Sequence, residues 1–153
     1  MSGAVLALDL ATATGWAFLD DDGCLESGVQ RFDLKRGESP GCRFLRFNAW
    51  LAERFVEPPR VVAYEQNFRR GGAATEVAAG FSTRVQEACA RHGVEHLTVN
   101  VSTLKKWATG KGTADKVTMV LEARARFPGQ VIEDDNQADA LLVLAWVRAE
   151  LGL

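Results

Sequence analysis

"AVLALDLATATGWAFLDDDGCLESGVQRFDL", residues 4–34, is the stretch whose reading decides the fold. Its opening, AVLALDL, is a near-continuous apolar run, the pattern of a central strand covered on both faces, and Asp9 alone interrupts it. The remainder, residues 15–34, reads as two strands joined by an acidic turn around Asp22 and Gly23, a hairpin signal. The chain therefore begins with a three-stranded antiparallel meander.

Outward from the meander, residues 42–59 (CRFLRFNAWLAERFVEPP) place Phe44, Leu45, Phe47, Leu51 and Phe55 at helical spacing, and Pro58 and Pro59 stop the helix. Residues 60–68 (RVVAYEQNF) form a further buried strand, with Glu65 at its C-terminal end. A helix follows over residues 73–93 and ends at Gly93, and a short strand spans 94–100. Ser102 or Thr103 is placed to cap the helical turn LKKWAT, residues 104–109. After the loop GKGTADK, helical pattern covers 113–127, "PGQ" breaks it, and residues 131–147 (VIEDDNQADALLVLAWV) supply the last helix. Three strands, helix, strand, helix, strand and then helices describe one α/β domain over residues 1–153 with a mixed five-stranded sheet.

Composition narrows the function classes. A chain of 153 residues that is 47% hydrophobic can bury a proper core. Its net charge of −2 gives no global basic signature, so any nucleic-acid contact must come from a local patch. Cys24, Cys42 and Cys89 lack zinc-site spacing and read as reduced thiols of a cytoplasmic protein. The N-terminus has no basic region ahead of its apolar stretch, and no run approaches the ~20 apolar residues of a membrane helix, so neither a signal peptide nor membrane insertion is expected.

Asp139 raises the sharpest question, because Ala138, Ala140, Leu141, Leu142 and Val143 surround it. An ionised carboxylate among such residues needs compensation. Asp135 lies four residues earlier, on the same helical face. If the strands carrying Asp9 and Glu65 are neighbours, all these carboxylates meet above one edge of the sheet. Converging carboxylates repel one another unless a divalent cation lies between them, and oxygen-only ligands suit Mg²⁺ or Mn²⁺. A two-metal site of this kind serves phosphodiester hydrolysis. Singly, each residue also has a plain explanation: Asp9 as a turn cap, Glu65 as a strand-end surface residue, Asp134 and Asp135 as partners of a helix dipole.

The second unusual stretch is STLKKWATGKGTADK, residues 102–116, with Lys105, Lys106, Lys111 and Lys116 against Asp115 alone. Gly110 and Gly112 allow close backbone approach, and the lysines suit phosphate oxygens. Directly after Glu65, Phe68, Arg69 and Arg70 add a basic segment with an aromatic able to stack on bases.

These motifs together resemble the RuvC-type Holliday junction resolvases of the RNase H-like nucleases, most like the small versions of phages and prophages. The resemblance spans nearly the whole chain and rests on LALDLATATGWA, VVAYEQNF, VSTLKKWATGKGTADK and DNQADALLVLAW, in that order. It implies an RNase H-like fold and a homodimer that cuts four-way DNA junctions with two Mg²⁺ or Mn²⁺ ions held by four acidic residues. It also implies that Asp9, Glu65 and Asp139 are metal ligands, that Lys105 and Lys116 contact DNA with Lys116 taking part in catalysis, and that Phe68 stands near the junction centre. The sequence departs from the pattern at Asn136, where an acidic residue is expected three before the last Asp. Asp135, Asn136 and Asp134 are the candidates for the fourth ligand.

Other readings remain open at this level. LDLATATGWAF also resembles the first phosphate loop of actin-like ATPases, although no second Gly-rich phosphate loop follows. A non-catalytic junction-binding module and a broader branched-DNA nuclease use the same residues. The segment 80–93 (GFSTRVQEACARHG) is the candidate dimer helix.

Overall fold

The computed structural model describes residues 3–66 and 71–153. Its elements are β1 (Val5–Asp9), β2 (Ala13–Leu19), β3 (Leu25–Arg31), α1 (Gly41–Arg54), β4 (Val61–Gln66), α2 (Ala73–His92), β5 (Glu95–Asn100), α3 (Val101–Thr109), α4 (Lys116–Arg126) and α5 (Asp135–Leu151). The five strands form one sheet in the order β3-β2-β1-β4-β5. β1, β2 and β3 pair antiparallel, whereas β1, β4 and β5 pair parallel. The expected meander with two added parallel strands is thus the observed sheet.

The apolar run of β1 is explained by burial on both sides. Val5 and Ala7 point into a core shared with α3, α4 and α5, and Leu6 and Leu8 into a second core shared with α1 and α2. Successive strand residues alternate between faces, so one strand feeds two cores and must be apolar throughout. On the second face, Phe81 stacks on Phe47 at a centroid distance of 4.0 Å, and Phe32 meets both rings edge-on. Such aromatic pairs add about 0.5–1.5 kcal/mol each beyond the area they bury.

Several local details differ from the sequence reading. In α1 the buried stripe is Phe47, Trp50 and Leu51, while Leu45 is 70% exposed, because the 3.6-residue turn carries position 45 to the solvent side. Neither Ser102 nor Thr103 caps α3. Asn100 does, its side chain accepting from the Ser102 N–H at 2.9 Å while its backbone is still extended. α4 starts at Lys116 and not at Thr113, since the Asp115 carboxylate accepts from the Thr118 N–H at 2.8 Å and fixes the boundary there. Gly110, with φ +86°, ends α3 in a left-handed cap, so its freedom serves the helix terminus.

Candidate metal centre and nucleic-acid interface

Strand parity sets the site. Val5 and Ala7 face the α5 side, so Asp9, two residues on, faces it too; Val61 and Ala63 put Glu65 on the same side of β4. β1 and β4 are parallel neighbours with Ala7 opposite Ala63, which brings Asp9 and Glu65 side by side at the C-terminal edge. Both are buried, at 5% and 8% exposure.

The third carboxylate depends on how α5 is seated. Asp134 is its N-cap and accepts from the Asn136 N–H at 2.6 Å. The buried Gln137 amide donates to the Val131 carbonyl at 2.9 Å and the Ser27 hydroxyl at 3.0 Å, tying the first turn to β3 and to the incoming chain. Below that turn lies Gly15, the residue opposite Asp9 on β2. A Cβ there would fall 1.9 Å from the Asn136 carbonyl oxygen, so glycine is what lets the helix backbone rest on the sheet. Leu141, Leu142 and Leu144, fully buried, hold the rest of the helix down.

Seated this way, α5 delivers Asp139 to the strand carboxylates. Carboxylate oxygens of Asp9, Glu65 and Asp139 all lie within 4.8 Å of one another. The Asp139 carboxyl is pushed up to about 7, first by burial and then by the neighbouring Glu65 and Asp135 charges, with Lys105 and Lys116 pulling the other way. Crowded, partly desolvated carboxylates of this kind form an oxygen-only donor set suited to a hard divalent cation.

An open cleft of about 450 Å³ surrounds the three carboxylates. Asp135, Asn136, Lys105 and Lys116 line it, and the Lys116 ammonium stands 3.5 Å from the Asp135 carboxylate. Asp134 is not among the lining residues; its carboxylate serves the helix cap. Lys106 and Lys111 are exposed outside the cleft. Phe68, Arg69 and Arg70 lie outside the described residues.

Sequence reasoning missed Arg31, which lines the cleft from the far end of β3. The hairpin register was the available signal. Arg31 pairs with Ala13, which lies on the same face of β2 as Gly15 and Ala17 and hence on the face of Asp9.

Comparison with known proteins agrees with this geometry at the level of fold. No family model and no curated protein sequence matches the chain. Among solved structures, the RuvC of Thermus thermophilus superposes with a TM-score of 0.72 at 22% identity, over 97% of this chain and 96% of that one. T. thermophilus RuvC in complex with a Holliday junction substrate superposes with a TM-score of 0.74 at 21% identity, over 96% of each chain. The chain has the RNase H-like α/β fold of these proteins.

Proposed function

We propose that the protein is a metal-dependent endonuclease that cleaves branched DNA, four-way junctions foremost, by phosphodiester hydrolysis. One observation carries the reading: Asp9, Glu65 and Asp139 meet within 4.8 Å at the end of two parallel strands, with Lys105 and Lys116 lining the same cleft. The likeness to a junction-bound RuvC fold supports the choice of substrate.

In this proposal Asp9, Glu65, Asp135 and Asp139 hold two Mg²⁺ or Mn²⁺ ions. Bound there, such cations activate water and stabilise the departing oxygen of a phosphodiester. Burial, and after it the charges of Glu65 and Asp135, hold the Asp139 carboxyl up, so a cation held by these residues would favour its ionised form. Lys105 and Lys116 supply positive charge where the DNA phosphates approach a group of acidic ligands that would otherwise repel them. Lys116, exposed and already 3.5 Å from Asp135, is the cation best placed to follow charge at the scissile phosphate. Phe68, Arg69 and Arg70, next to Glu65 in sequence, and the exposed Lys106 and Lys111 would extend the DNA contact.

A four-way junction offers two equivalent strands, which calls for two sites related by a two-fold axis. We therefore infer a homodimer of one-domain protomers acting on cytoplasmic DNA, with residues 80–93, the second half of α2 and its Gly93 cap, at the interface. α2 turns Phe81, Val85 and Cys89 inward and leaves Gln86, Glu87, Ala90 and Arg91 exposed to meet a partner.

The test is cleavage of a labelled four-way junction, with linear duplex and a flap alongside, in Mg²⁺ and in Mn²⁺, with Asp139→Asn as control. Paired symmetric nicks that the variant loses by roughly a hundredfold or more, while still binding the junction, are expected. Equal cutting of every branched form would widen the substrate class, and tight binding without cleavage in either metal would make the protein a junction-binding module instead.

A further inference from the structure

The segment from the end of β3 to the first turns of α1 has a charge balance unlike the rest of the chain. Between residues 31 and 46, Arg31, Lys35, Arg36, Arg43 and Arg46 face only Asp33 and Glu38, five cations to two carboxylates in a chain of net charge −2. The structure shows what organises them. The Arg43 guanidinium donates to the Phe32 carbonyl at 2.9 Å, and Arg46 donates to the Asp33 carbonyl at 3.2 Å and pairs with Glu38. Arg31 is held by both oxygens of Asp33, at 2.7 and 3.2 Å, with its side chain 66% exposed. Phe32 between them is buried in the aromatic core, which anchors the segment to the fold.

Topology places this segment opposite the known cations of the cleft. Lys105 is on α3, which follows β5 at one edge of the sheet, whereas Arg31 ends β3 at the other edge. The carboxylates lie between, on the inner strands β1 and β4 and on α5. A single DNA strand crossing them would thus have lysines on one side and Arg31 on the other. Beyond Arg31, exposed Lys35 and Arg36 continue the positive surface away from the cleft.

We infer that the β3–α1 segment is a second phosphate-binding surface, in which Arg31, oriented by Asp33, grips a backbone phosphate flanking the cleavage point, and Lys35 and Arg36 hold the duplex arm leading away from it. The inference rests on the nuclease reading and adds the path of the DNA across it. Asp33 matters because a guanidinium fixed by two hydrogen bonds presents its remaining N–H groups in one direction, as bidentate phosphate recognition requires.

The experiment measures four-way-junction affinity against salt concentration, in Ca²⁺ and in EDTA, and junction cleavage in Mg²⁺, for the wild type, Arg31→Gln, Arg31→Lys and the Lys35→Gln/Arg36→Gln double variant. Arg148→Gln, at the exposed far end of α5, controls for the loss of any positive charge. Arg31→Gln should weaken binding several-fold and lower the magnitude of the log–log salt slope by about one, and the double variant by about two. Arg31→Lys should keep the slope but not the full affinity, because it retains the charge and loses the fork. Thermal melts of every variant should stay close to wild type, separating lost contact from lost fold. Wild-type binding and cleavage with unchanged slopes in the 31–36 variants would overturn this inference alone. A wild type that neither binds nor cuts the junction would overturn the nuclease reading as well.

Discussion

At the scale of single residues, Asp139 ties the stability of the fold to pH and, in the proposed reading, to metal binding. Its carboxyl is held near 7 in the fold against an ordinary value of 3.8, with burial as the main cause. Between those values the folded protein keeps a proton that the unfolded chain releases, so stability declines as pH rises through the window. Asp139→Asn should remove that decline. Without metal, the melting temperature of the variant should rise relative to wild type from about pH 4 to about pH 7 and then level off. Millimolar Mg²⁺ should stabilise the wild type more than the variant above pH 7. Melting temperatures of the two proteins that run parallel across about pH 4 to about pH 7 would show that the Asp139 carboxyl does not set this pH dependence. The proposed fourth ligand is also a residue-scale matter. Asp135 and Asn136 both line the cleft, but only Asp135 brings charge. Asp135→Asn should raise the Mg²⁺ concentration for half-maximal cleavage by on the order of tenfold, and Asn136→Ala by less; the reverse ranking would make Asn136 the ligand.

At the scale of elements, the site depends on the first turn of α5 coming down onto β2 at a point where no side chain stands between them. Gly15 provides that contact, and Gln137 and Asp134 fix where the helix starts. Gly15→Ala puts a methyl group into the Asn136 backbone, which neither a rotamer change nor a small side-chain shift can relieve. The expected cost is about 1–3 kcal/mol in urea unfolding, typical of overpacking. Cleavage should fall by more than that stability loss explains, because the displaced turn carries Asp135 and Asp139 away from Asp9. Leu142→Ala offers the comparison: about 2–5 kcal/mol lost from the core at a buried residue that does not line the cleft. Equal activity in Gly15→Ala and wild type would show that the close approach is dispensable for the site.

At the scale of the whole molecule, two apolar cores flank one sheet and the carboxylates stand at its edge, where β1 and β4 end side by side. The chain carries one cluster of three carboxylates among the described residues, so the proposed dimer would hold two such clusters. Mixed dimers of wild type and Asp139→Asn should nick one strand of a four-way junction and leave the paired second cut undone. Full paired cleavage by mixed dimers would argue against one site per strand, and a monomer by sedimentation would remove the two-fold arrangement altogether.

The sequence by itself determined the α/β class, the meander, the existence and order of the helices and the identity of the three clustered carboxylates, although the last helix runs over 135–151 and not 131–147, because Asp134 caps it. Those features are written in local pattern: continuous apolar runs in the central strands, apolar stripes in helices, and charges where burial makes them costly. What the tertiary structure decided is everything that depends on register between segments far apart in the chain. The pairing of Ala13 with Arg31 put an unsuspected arginine in the cleft, and the contact of Gly15 with Asn136 set the height of α5. Asp134 and Asn100 proved to be helix caps, a role that depends on backbone angles not legible from residue type alone. Local physics chooses the elements, but only packing brings together side chains from β1, β4 and α5 and so makes a site of them.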